Sequence, residues 1–191
     1  AIPTMTDREY CSDLSLAAGE TMVGTADCVD VWLLLEYKPS WRARATTDND
    51  LSVETQIWLQ RLIEELAVKG VRARPQFIRQ PELDVDGIRL FVATAEGLFC
   101  FESTDYDGIE LLDLAGAFAT KEFSASAFGF SRVEEPLYFV CTNGQRDLCC
   151  ARYGLPVYKC LRDLVGDRVW QTTHLGGHRF APNVLALPQG V

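Results

Sequence analysis

Residues 137–187 read LYFVCTNGQRDLCCARYGLPVYKCLRDLVGDRVWQTTHLGGHRFAPNVLAL, and this stretch sets out a strand, a cysteine-bearing loop, a helix, a second strand, a histidine loop and a third strand. The apolar run 137–140 has the length of a buried strand. A helix is expected over 156–165, with Pro156 in its first turn, where a missing N–H is tolerated. Strands are expected over 168–172 and 183–187, the second closed by the turn residues Pro188-Gln189-Gly190.

The same order stands upstream. Val31–Glu36 reads as a buried strand, and Ser52 as the N-cap of a helix with Glu54 in its first turn. Val53, Ile57, Trp58, Leu62, Ile63, Leu66 and Ala67 fall at helical spacing, and Lys69-Gly70 ends the run. Strands follow over 73–79, 88–95 and 98–103, the last two joined at Glu96-Gly97. A short helix over 108–118 completes the unit, and 120–135, rich in Ser, Phe and Gly, reads as a linker. WLLLEYKPSW (32–41) thus occupies the place that YFVCTNGQRDLCC (138–150) occupies later. The expected class is α/β, with two tandem thioredoxin-like units, the second truncated at its C-terminus. They divide as a degenerate N-terminal domain over 1–119, a linker over 120–135, and a domain over 136–191 that carries the chemistry.

The 191 residues are 48% apolar, enough for a core without staples, and the net charge of −9 argues against a nucleic-acid surface, which needs clustered Lys and Arg. An acidic face suits a basic redox partner protein, a reductase or an acceptor. The apolar stretches are far too short to span a bilayer and no signal-peptide pattern stands at the N-terminus, so a cytoplasmic location is expected. Seven cysteines at irregular spacing fit a reducing compartment better than a disulfide framework.

Three of those cysteines, Cys141, Cys149 and Cys150, lie within ten residues, and the chain's only two histidines, His174 and His178, lie within five. Thiolates hold ferric iron and neutral imidazoles leave a second iron easier to reduce, so two of each meet the needs of a mixed iron-sulfur centre. Gly176 and Gly177 inside the histidine turn permit positive φ and close backbone approach. Cys149 adjoins Cys150, and a one-residue change of register would make it the ligand. Zinc also accepts two cysteines and two histidines, although the short C-x2-4-C knuckle of its structural sites is missing.

CTNGQRDLCCARYG (141–154) and VWQTTHLGGHRFAPNVLALPQG (169–190) resemble the sucrase/ferredoxin-like family, as does GTADCVDVWLLLEYKPSW (24–41). The resemblance implies a C-terminal domain similar to thioredoxin-like [2Fe-2S] ferredoxins, with Cys141 and Cys150 on one iron and His174 and His178 on the other. Cys150-Ala-Arg-Tyr-Gly154 matches the family's lead into the following helix, which favours Cys150 over Cys149. The implied function is electron transfer rather than substrate chemistry, at a potential raised by histidine toward the Rieske range of about −150 to +300 mV. No paired carboxylates can be placed as a glycosidase acid and nucleophile.

Two rivals stand beside this reading: a zinc-stabilised protein-interaction module on the same four residues, and a thiol oxidoreductase using Cys149 and Cys150, which adjacent cysteines bridge only with strain. Cys11, Cys28, Cys100 and Cys160 are read as packing residues, as are Trp32, Trp58 and Trp170, whereas Trp41 is expected to line a surface. Arg179 is read either as a positive charge beside the site or as a solvated arginine, and Pro182 as a cis-proline beside the active loop.

Overall fold

A computed structural model describes residues 10–83, 85–118 and 123–189. In chain order these form α1 (Cys11–Ala17), β1 (Val31–Glu36), α2 (Val53–Val68), β2 (Ala73–Arg79), β3 (Ile88–Thr94), β4 (Gly97–Ser103), α3 (Tyr106–Glu110), α4 (Leu114–Ala117), β5 (Ser131–Val133), β6 (Leu137–Cys141), α5 (Leu148–Val165), β7 (Val169–Thr172) and β8 (Val184–Leu187). The strands join in one sheet, ordered β5-β4-β3-β1-β2-β7-β6-β8. β1 runs parallel to β2 and antiparallel to β3, and β6 runs parallel to β7 and antiparallel to β8, so each half places its first strand centrally between these two partners. The antiparallel pair Ile78–Thr172 and Arg79–Gln171 joins the halves through β2 and β7. The class is α/β.

Period-two alternation sends β1 into two cores. Leu33 and Leu35 face α2, α3 and α4, where Leu59, Leu62, Leu66, Ile109 and Leu114 are buried with them. Leu34 faces the other way, against Ile78, Phe91, Phe139, Trp170 and Leu185, all contributed by strands. Phe91 on β3 and Phe139 on β6 are four places apart in the sheet, about 19 Å in a flat one. Their ring centroids lie 6.2 Å apart, so the sheet rolls over on itself and closes its inner face around Phe91, Phe139 and Trp170. A third cluster of Val140, Tyr158 and Val169 seats α5 on the opposite face of β6 and β7.

The local expectations meet several corrections. The helix expected from Pro156 starts eight residues earlier, at Leu148, because the Asp147 carboxylate accepts the Cys149 N–H at 2.9 Å and caps it, which leaves Pro156 inside the helix at the cost of one backbone bond. The helix expected over 108–118 is two short ones, each capped by an aspartate, Asp105 and Asp113. Within the stretch read as a linker, 120–122 lie outside the described residues, while Phe123 and Phe130 are buried and β5 pairs with β4. Trp41 is also buried rather than lining a surface: its indole N–H donates to Tyr37 O at 3.2 Å and Arg79 stacks over its ring. Cys28 and Cys160 are exposed and do not pack in a core. No helix among the described residues is long and apolar enough to cross a membrane.

Candidate metal centre

Parallel pairing of β6 and β7 puts their C-terminal ends at one edge of the sheet, and the antiparallel β8 begins there. Cys141 is the last residue of β6, Cys149 and Cys150 lie in the first turn of α5, and His174 and His178 follow β7. Strand ends and a helix start therefore gather residues that the sequence spreads over 38 positions. Cys141 and Cys150 are fully buried and His174 is partly exposed. The His174 Nδ1 lies 3.5 Å from Cys150 Sγ and 3.9 Å from Cys141 Sγ, and the three donor atoms lie within 4.8 Å of one another. His178 stands one step outside: its ring centroid is 5.8 Å from that of His174, its side chain is 47% exposed, and its Nε2 lies 3.9 Å from Asp147 Oδ2.

The close approach of α5 to β6 depends on Gly154. A Cβ there would stand 2.1 Å from the Cys141 carbonyl oxygen, so only glycine lets the helix come near enough to present Cys150 to Cys141. The histidine turn is held from two sides. Asn183 donates to the carbonyls of Gly176 and Gly177 at 2.8 and 2.9 Å. Arg74 on β2 donates to the Leu175 carbonyl at 2.6 Å, while Thr173 takes the Phe77 N–H at 3.0 Å and donates to Gln76. Gly176 and Gly177 have φ of 90° and 56°, the positive values expected of them. The Ala181–Pro182 bond is cis, as expected. Arg179 pairs with Glu20 at 3.2 Å and stacks on Phe180, and it is half exposed.

These contacts decide which thiol carries charge. The Cys150 S–H, then the His174 ring and the Leu175 backbone, favour the thiolate of Cys141 and pull its pKa well below the ordinary value despite burial. The same contact with Cys141, with burial added, pushes Cys150 strongly up. The pair thus shares one negative charge, a thiolate ready to take a cation. Two buried sulfurs, one already anionic, beside an imidazole with a second imidazole adjoining fit the donor set of a mixed thiolate–histidine metal group.

Adjacent positions on a helix point about 100° apart, and Cys149 accordingly faces away from Cys150. Its Sγ lies 3.1 Å from the Cys11 Sγ on α1, with Asp147 in the same group. Sequence reasoning passed over Asp147, Asn183, Gln76 and Arg74, and read Cys11 as a packing residue. Asp147 carried a readable N-cap signal. Cys11 carried none, because its partner is 138 residues away.

No curated protein and no solved structure matches the chain. The sequence profile described as sucrase/ferredoxin-like matches residues 22–191, and the chain belongs to that family.

Proposed function

We propose that the protein binds a [2Fe-2S] cluster on Cys141, Cys150, His174 and His178 and transfers single electrons to and from a redox partner protein, on a thioredoxin-like arrangement of β6, α5, β7 and β8. The observation that carries this reading is the gathering of Cys141, Cys150 and His174 within 4.8 Å at one sheet edge, in a chain of the sucrase/ferredoxin-like family. The chain's own residues supply a poised thiolate at Cys141, a buried second sulfur at Cys150, and a histidine turn whose backbone is fixed by Asn183 and Arg74. The cluster, when bound, supplies the one-electron couple. The exposure of His178 supports electron exchange at that side, since a partner can approach the imidazole end while protein covers the sulfur end.

The convergence of three donors on one another also favours a second reading, a single zinc ion closed by His178 in an interaction module. One experiment separates the two. Protein purified anaerobically is examined by visible absorption, with iron, acid-labile sulfide and zinc measured on the same sample. Red-brown colour with about two irons and two sulfides per chain is expected. A colourless protein with one zinc would replace the electron-transfer reading by the zinc module.

A further inference from the structure

Outside the four proposed ligands, the described residues hold one other close pair of thiols. Cys149, 2% exposed, sits in the first turn of α5 with its Sγ 3.1 Å from that of Cys11, the first residue of α1. The contact is fastened on both sides. Arg152 of α5 stacks over Tyr10 at 4.3 Å and over Tyr153 at 5.5 Å, the two tyrosine rings meet edge-on, and the Tyr153 hydroxyl donates to Asp13. Beyond α1, Glu20 accepts from Ser15 at 2.6 Å and pairs with Arg179 in the turn that carries His178. Two helices 138 residues apart are therefore held in a fixed register with a sulfur from each facing the other. A buried sulfur and a partly exposed one brought together in this way form the arrangement that thiol–disulfide exchange requires.

We propose that Cys11 and Cys149 form a reversible disulfide that tacks α1 to the start of the helix bearing Cys150, a two-electron site separate from the proposed cluster. The oxidant is a low-molecular-weight disulfide, RSSR. The partly exposed Cys11 gives up its proton and attacks one sulfur of RSSR, the S–S bond of the oxidant breaks, and one RSH leaves. The Cys149 sulfur then loses its proton and displaces the second RSH from Cys11. Two protein thiols are oxidised to one disulfide and RSSR is reduced to two RSH. The site rests on the reading that Cys150, and not Cys149, faces Cys141. Oxidation would hold α1 over the turn of His178–Phe180, and reduction would leave it there by noncovalent contacts alone.

The test uses the anaerobically purified, metal-loaded protein treated with excess glutathione disulfide for hours at about pH 9.5, because burial and the contact with Cys149 hold the Cys11 thiol up to about 11 and its thiolate forms as pH rises toward that value. The sample is then denatured in iodoacetamide and digested with trypsin for mass spectrometry, with iron and sulfide measured in parallel. Two of the seven cysteines are expected to escape alkylation. Fragmentation should join the peptide 9–42 through Cys11 to the peptide 147–152 through Cys149, and dithiothreitol should reverse the link. The link should vanish in Cys11→Ser and in Cys149→Ser and persist in Cys28→Ser. Full alkylation of wild type with iron and sulfide retained would overturn the disulfide and leave the cluster reading standing. The Cys11–Cys149 link in a protein without iron or sulfide would support the disulfide and end the cluster reading. A link through Cys150 would overturn both.

Discussion

Cys141 and Cys150 are chemically alike in the sequence and unlike in the structure, because the thiol of one stabilises the thiolate of the other. A thiol whose pKa is depressed on folding adds stability that is complete above its unfolded value, near about 8.5, and is lost as pH falls through the folded value. For Cys141 that folded value is about 5. Cys150, held up, has the opposite effect and only above its ordinary value, so it leaves this window untouched. Metal-free protein is therefore expected to gain stability between about pH 5.5 and pH 8, by at most about 1.4 kcal/mol per pH unit, and Cys141→Ser should lose that gain. Urea unfolding of both proteins across the range, compared as a difference, isolates this group from the histidines. Parallel profiles would mean that Cys150 and His174 do not hold the thiolate. The residue types and spacing of this site were legible, since C-x8-C and H-x3-H stand in plain view. The facing direction of Cys149 was not, because it depends on α1, whose contact with α5 leaves no local pattern.

At the scale of elements, the seat of α5 on β6 governs how far Cys150 stands from Cys141. Gly154 lies one turn after Cys150 and is the point of contact. Gly154→Ala forces the new methyl group into the Cys141 carbonyl, which must be relieved by moving the helix. Overpacking of this kind costs roughly 1–3 kcal/mol. The displacement also widens the gap between the two sulfurs, so iron retained per chain after desalting should fall by more than the loss of folded protein accounts for. Equal iron per folded chain in the variant and wild type would show that the helix position does not set the site. Where hydrophobic period and caps agreed, as in β1, β2 and α2, the sequence pattern marked the element bounds directly, and Ser52 caps α2 as expected. The start of α5 was misplaced because a proline was read as a first-turn residue while Asp147, a stronger cap, already stood nine residues before the expected start. β5 went unseen because three residues, two of them exposed, show no period at all.

For the whole molecule, the division of the sequence into two similar units and the packing of the chain give different expectations for unfolding. The sequence repeat suggests two units that unfold apart. Yet the inner face of the rolled sheet draws Leu34, Ile78, Phe91 and Leu98 from the first half and Leu137, Phe139, Trp170 and Leu185 from the second. Trp170 is 1% exposed, with Phe91 edge-on at 5.5 Å and Arg89 of β3 stacked on it at 4.5 Å. Arg89 is in turn held by the buried Glu36 of β1 at 3.0 Å, so a second-half tryptophan packs against first-half residues as well as against those of its own half. Its loss should therefore be felt on both sides. Trp170→Ala is expected to cost roughly 3–5 kcal/mol through lost transfer and a cavity. The three remaining tryptophans, Trp32, Trp41 and Trp58, all lie in the first half, which makes the variant its own reporter. If the shared core couples the halves, the fluorescence transition of those three moves to lower denaturant together with the circular dichroism transition, and the two coincide. A fluorescence midpoint left at its wild-type position while the dichroism shifts would mean that the halves unfold independently, and that the rolled sheet joins them without making them one cooperative unit.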